Sequence, residues 1–205
     1  MEVKELKKII CTSFENLSQK CEYFSEVDAQ TGDGDHGVTI AKICDELINA
    51  SKDEQEESIG DYFSRLGMAV MMVNGGSAGS LWAMMISGIG ESVDGLDENS
   101  PELLKRIFEG AASGISEASM AKEGEKTMLD ALLPAVRAVE NGTGDCKQVL
   151  AEAAEAAEAG AENTKNMVEK YGRAKNLQEK SLGYLDAGAV SMAAAIRAIS
   201  DSINA

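Results

Sequence analysis

The sequence predicts an all-α chain, folded as an up-and-down helical bundle or a closed helical barrel. Three observations lead there. Proline occurs only at positions 101 and 134, and the helix formers Ala, Leu, Met, Glu and Lys dominate. Runs of β-branched or aromatic residues with period two are nearly absent. The stretches between helical segments are mostly short, which favours antiparallel neighbours.

Taken in order, Val3, Leu6, Ile9, Ile10, Phe14 and Leu17 recur at helical spacing and predict a first helix over 3–25. The stretch DAQTGDGDHGVTI, residues 28–40, interrupts the pattern. Further helices are expected over 38–50, 58–73, 77–92, 101–121, 125–140, 146–171 and 187–203, which makes eight. Ser100 before Pro101 marks one start, and the glycines of NGGSAGS, DG, NGTGD and YG separate the periodic segments. In AEAAEAAEAGAENT the alanines favour helix and the recurring glutamates predict a solvated acidic face. Met68, Met71, Met72, Met84 and Met85 flank VNGGSAGSLW and read as adaptable core filling, with Trp82 as packing.

The 205 residues suffice for one substantial core, and no composition shift divides them, so one domain over 1–205 is expected. With 44% hydrophobic and 26% charged residues the chain lies far from the composition of disorder. A net charge of -16 argues against nucleic acid or an anionic membrane as partner, because no Lys/Arg excess is present to meet phosphate backbones. Any phosphate ligand therefore needs positive charge from elsewhere. Cys11, Cys21, Cys44 and Cys146 are scattered without zinc spacing or CxxC, and reduced thiols are expected. The opening MEVKELKKII lacks a signal-peptide core and no apolar run approaches membrane-spanning length, so the cytoplasm is the default compartment.

Asp28, Asp33 and Asp35 crowd into eight positions, interleaved with glycine and followed by His36, the one histidine. Like charges so close require something positive among them. GDGDHG matches G-x-G-x-x-G letter for letter, but a helix precedes it and the aspartates would repel a pyrophosphate. An EF-hand also fails, since twelve positions from Asp33 end on Cys44. The carboxylates suit a hard divalent cation such as Mg²⁺, and the helix beginning near Gly37 offers free amides to a phosphate beside it. An Asx-rich turn that caps a helix, with His36 in an ordinary surface hydrogen bond, is the other reading of the same residues. NGGSAGS, 74–80, is a second Gly-rich loop before a helix. GEKTM, 124–128, imitates the tail of a P-loop, but Glu125 intervenes and no strand precedes it. Residues 171–191 form a long connection of the kind used as lids, in which Arg173 suits either a phosphate or a surface salt bridge.

In this order Asp28, GDGDHG, GGSAGSLW, GEKTMLDALLP and GRAKNLQEKSLGYLDAGAVS resemble, over nearly the whole chain, the nucleotide-binding L subunit of dihydroxyacetone kinase and the matching domain of one-chain dihydroxyacetone kinases. The resemblance implies a closed up-and-down barrel of eight antiparallel amphipathic helices that holds ADP or ATP at one end through two Mg²⁺ ions. It implies Asp28, Asp33 and Asp35 as metal ligands, with His36, Gly37 and Thr39 approaching the nucleotide. It places the backbone of Ser77, Ala78 and Gly79 at phosphate, Met128 at adenine, and Arg173 with Asp186 and Gly188 over the nucleotide. The implied activity is phosphoryl transfer to a small keto-sugar held by a separate K subunit, which supplies acid and base groups. The phosphate comes from exchanging ATP or from bound ADP recharged by a phosphohistidine M-type protein of the phosphotransferase system.

The chain departs from the family pattern at the rim. GGASGPL becomes GGSAGSL, and GRASYLGERSxGHxDPG becomes GRAKNLQEKSLGYLDAG, which sets Lys175, Gln178, Lys180, Tyr184 and Ala187 in place of Ser, Gly, Arg, His and Pro. A non-catalytic nucleotide-binding or regulatory module of the same fold is the competing expectation. A helical structural protein with an acidic turn is the third.

Overall fold

A computed structural model describes residues 2–53 and 55–204, apart from the side chain of Ala174. The helices are α1 (Val3–Ser18), α2 (Cys21–Asp28), α3 (His36–Ser51), α4 (Ile59–Met71), α5 (Gly76–Val93), α6 (Leu103–Ala118), α7 (Leu129–Asn141), α8 (Cys146–Asn163) and α9 (Ala187–Asn204). Short 3-10 segments cover Thr164–Asn166 and Ala174–Ser181, and no strand occurs among the described residues.

The all-helical expectation holds, with instructive shifts at the boundaries. The first helix breaks after Ser18 and restarts at Cys21, where the Lys20 amide turns back to the Leu17 carbonyl at 2.9 Å. No glycine or proline marks this break, and Leu17 and Phe24 are both buried, so periodicity runs straight through it. Pro101 lies in a turn ahead of α6 rather than in its first turn; the helix begins at Leu103. The helix expected over 146–171 stops at Asn163, and the one expected from 125 starts at Leu129.

Packing follows chain order. α1 lies on α3, each later helix on its predecessor, and α9 returns to α1, while α2 covers α3 and α9. Each helix turns an apolar stripe inward: on α4 it is Ile59, Tyr62, Phe63, Leu66 and Val70. That stripe corrects the methionine expectation. Met68, Met71 and Met72 sit on the opposite face and are 65%, 47% and 86% exposed, so only Met85 of the five is buried. Trp82 is core, with its ring edge-on to Phe14 at 6.3 Å. The inward stripes converge on an apolar cavity of about 620 Å³ lined by residues such as Phe14, Phe63, Trp82, Leu132, Val149 and Ile196. The glutamates of α8 face solvent while Ala153, Ala154, Ala157 and Ala161 are buried, as its sequence predicts.

Small residues set the closest helix approaches. A Cβ on Gly88 would stand 2.5 Å from the Gly110 carbonyl oxygen, and one on Gly114 would stand 2.1 Å from that of Met84. α5 and α6 therefore touch backbone to backbone. Gly114→Ala should cost about 1–3 kcal/mol by overpacking, although alanine gains up to about 1 kcal/mol by helix propensity. Urea denaturation measures the balance, and a stabilised variant would contradict so close a crossing.

Candidate functional site

The acidic turn is built by local hydrogen bonds. α2 ends at Asp28, whose carbonyl accepts from the amides of Thr31 at 3.1 Å and Gly32 at 2.6 Å. Gly34 takes φ 76, a left-handed conformation natural to glycine, and the chain reverses into α3. The His36 amide donates to the Asp28 carboxylate at 3.4 Å. In consequence one carboxylate oxygen each from Asp28, Asp33 and Asp35 lies within 4.8 Å of the others. Asp28 is half-buried and the other two are exposed. Their charge is met from far along the chain: the Arg173 guanidinium pairs with Asp33 and donates to Asp35 at 3.1 Å.

Beside this turn opens a cavity of about 730 Å³. Four segments in which helices begin reach its wall: His36 and Thr39 at α3, Ser77 and Ala78 at α5, Met128 before α7, and Ala187 with Gly188 at α9. α3 and α5 start without a side-chain cap, whereas Ser58 caps α4 and Asp145 caps α8 outside this cavity. Apart from the His36 amide, which donates to Asp28, the first-turn amides of α3 and α5 have no side-chain cap among the described residues, and an anion is what such amides and the helix dipole favour. Gly76 reaches φ 57 just as α5 begins.

Of the candidates named from sequence, Asp28, Asp33, Asp35, His36, Thr39, Ser77, Ala78, Met128, Arg173, Asp186 and Gly188 all line this one cavity. Gly37 and Gly79 do not. A Cβ on Gly37 would fall 1.8 Å from the Cys21 carbonyl oxygen, so this glycine lets α2 approach α3. The Gly79 amide continues α5 by donating to the Gly75 carbonyl at 3.1 Å.

Two polar groups of the wall, His36 and Asp186, and a third beside it, Asp130, are tightly held. His36 is buried, with Nε2 2.9 Å from the Ser191 hydroxyl, and burial pushes its imidazole below the usual range although Asp28 pulls the other way. Asp186 opens α9: its carboxylate accepts from the Ala189 amide at 2.6 Å and its own amide donates to Thr164 Oγ1 at 3.0 Å. Removal from water pushes its carboxyl up to about 7. Asp130, 1% exposed, accepts from the amides of Gly124 at 2.5 Å and Thr127 at 2.7 Å and so folds the turn before α7.

Sequence reasoning missed Lys126, which belongs to that turn, takes φ 63 and is 1% exposed. It also missed Lys42, Ser119, Glu169 and Tyr171 of the lining. The available signal was the lysine in GEKTM, discounted because it is no P-loop. Gln178 in the crossover takes φ 51 and ψ -127, a conformation that glycine enters freely, where the family pattern has glycine.

Comparison with known proteins gives the context. The DAK2 domain family matches residues 30–201. A Listeria innocua protein named PEP-dependent dihydroxyacetone kinase 1, ADP-binding subunit DhaL, is 32% identical over 181 residues, 87% of this chain and 86% of its own length. The corresponding Escherichia coli subunit, also named ADP-binding, is 28% identical over 86% of this chain and 85% of its own. An L-erythrulose kinase of Pectobacterium atrosepticum is 32% identical, and the match covers 87% of this chain but 31% of that enzyme. The crystal structure of the C. freundii dihydroxyacetone kinase in complex with AMP-PNP and Mg²⁺ matches with a TM-score of 0.77 at 26% identity, over 96% of this chain and 33% of that one. Family, relatives and solved structure converge, and this chain belongs to the DAK2 domain family.

Proposed function

We propose that the chain is the nucleotide-binding, phosphoryl-transferring subunit of a dihydroxyacetone-kinase-type enzyme. The observation that carries this reading is the cluster of Asp28, Asp33 and Asp35 at the edge of a cavity whose wall includes the uncapped starts of α3 and α5. The names of its relatives as ADP-binding kinase subunits, and the AMP-PNP and Mg²⁺ of the C. freundii complex, support it.

Three carboxylates fit magnesium, because the set is hard oxygen throughout and already needs positive charge beside it. We assign Asp28, Asp33 and Asp35 to two Mg²⁺ ions, which when bound neutralise the charge that gathers on phosphate during transfer. The amides of Ser77 and Ala78 receive phosphate oxygens and His36 and Thr39 flank them, whereas Gly37 and Gly79, which lie outside the lining, serve helix packing and the α5 backbone. Met128, 6% exposed, packs on the adenine. Arg173, released from the carboxylates it holds here, closes over the nucleotide together with Asp186 and Gly188. His36 is buried with Nε2 engaged by Ser191, so it is poorly placed to serve as general base for a sugar hydroxyl. Acid and base groups are therefore expected from a separate K subunit that holds the keto-sugar. A phosphohistidine M-type protein is the partner if ADP stays bound, and none is needed if ATP exchanges. Residues 1–205 act as one nucleotide-binding unit in the cytoplasm, and the chain-order packing with α9 back on α1 supports a closed eight-helix barrel. No helix among the described residues is long and apolar enough to cross a membrane.

Native mass spectrometry of the purified chain should show ADP retained with magnesium and lost on chelation. Asp33→Ala should weaken nucleotide binding in Mg²⁺ by at least about tenfold in calorimetry. Equal affinity in chelator, or an unaffected variant, would sink the assignment.

Asp186 supplies a pH test. Desolvation raises its carboxyl, with Glu169 and Asp130 adding to the effect, against the Ala189 amide and Lys126. The folded chain then keeps a proton that the unfolded chain loses near pH 4, so stability falls as pH rises from about 4 to about 7 and stays lower above that. Asp186→Asn keeps an oxygen for the Ala189 amide and removes this fall. Urea midpoints from pH 4.5 to 8 should decline less in the variant than in the parent chain; parallel curves would refute the raised carboxyl.

A further inference from the structure

The buried lysine of the turn before α7 has a place in this site that neither metal nor phosphate binding explains. Lys126 Nζ donates to the carbonyls of Ser181 at 2.6 Å, Tyr184 at 2.8 Å and Met167 at 3.4 Å. Three acceptors match the three N–H groups of an ammonium. Burial lowers its tendency to stay charged, and Glu169 and Asp186 act to keep the proton on. A cation is thus confined in the wall, directed toward backbone oxygens rather than into the open cavity.

The placement of those oxygens is informative. Met167 lies just past α8, and Ser181 and Tyr184 lie just before Asp186 and α9. Lys126 therefore ties both feet of the crossover to one point on a different element. Other ties run in parallel: the Glu169 amide donates to Ser181 Oγ at 3.0 Å, the Gly183 amide donates to the Lys165 carbonyl at 2.8 Å, and the Lys170 ammonium donates to the Glu125 carboxylate at 3.1 Å. Between the feet the chain projects Arg173 to Asp33 and Asp35. Drawing the ends of such a loop together reduces the freedom of everything between them.

We propose that Lys126 is a positioning residue, whose ammonium closes the base of the 167–184 crossover and thereby delivers Arg173 to the acidic turn and its nucleotide. The role rests on Arg173 acting as a nucleotide ligand. It makes Lys126 and Arg173 one functional unit, although among the described residues their side chains bond different partners.

A double-mutant cycle reads that unit directly. With a fluorescent mant-ADP probe in Mg²⁺, Lys126→Met and Arg173→Ala should each weaken binding by about tenfold, and the double variant by no more than about threefold beyond the weaker single. Losses that multiply to about a hundredfold would mean that Lys126 acts independently of Arg173, and the proposal would fall. Amide hydrogen exchange of the ligand-free proteins gives a second readout. Arg173→Ala, an exposed change, should leave residues 181–184 as protected as in the parent chain, because their anchor is intact. Release of 181–184 in that variant would show that Arg173 holds the crossover, which overturns the proposal even if Lys126→Met does not fold. If the parent chain fails to bind mant-ADP, the nucleotide reading fails, and exchange still decides whether the lysine is the tether: 181–184 should be released in Lys126→Met and stay protected in Arg173→Ala.

Discussion

The site depends on keeping three carboxylates together. Asp28, Asp33 and Asp35 are gathered by a turn whose hydrogen bonds are local, and unit charges about 4 Å apart repel by roughly 1 kcal/mol in water and about 4 kcal/mol nearer a protein surface. Local folding cannot offset that alone. The chain brings a guanidinium from more than a hundred positions away, and with it the crossover between α8 and α9. Charge compensation at one turn thus draws on a distant segment whose two feet Lys126 holds. It also explains how a chain of net charge -16 can present a site for an anion.

Around that turn the helices contribute their beginnings. α3, α5, α7 and α9 all begin at or beside the wall of the same cavity, as alternate members of an up-and-down arrangement would. The difference between them lies in capping. Asp186 satisfies α9 and Asp130 organises the approach to α7, while α5 has no side-chain cap and α3 only the Asp28 carboxylate on its His36 amide. Ligand-facing and structural polar groups are therefore separated by how many hydrogen bonds the protein itself already makes to them.

Much of this was legible in the sequence. Helical periodicity located most elements, because each buries one stripe of regular spacing, and the glycine-flanked aspartates announced a place that needs positive charge, which Arg173 meets in the structure. The break at Gln19 and Lys20 was invisible, since it needs no special residue and the buried positions keep their phase across it. Methionine type did not tell face: Met68 and Met71 share α4 with the core stripe yet are exposed, as is Met72 just past its end. Lys126 was overlooked for a different reason. Its partners are backbone carbonyls up to 58 residues away, and a backbone acceptor leaves no trace in residue identity.

The lining of the cavity carries Asp28, Asp33, Asp35, Glu169 and Asp186 against Lys42, Lys126 and Arg173. Its field opposes the arrival of a free polyanion, and over the Debye length of about 8 Å at physiological ionic strength that opposition is felt before contact. Capture should accordingly be slowest in dilute buffer and quicken as salt is added, the reverse of electrostatic steering. Complexation by a divalent cation before encounter lowers the barrier further, so the proposed nucleotide would dock as its metal complex rather than bare.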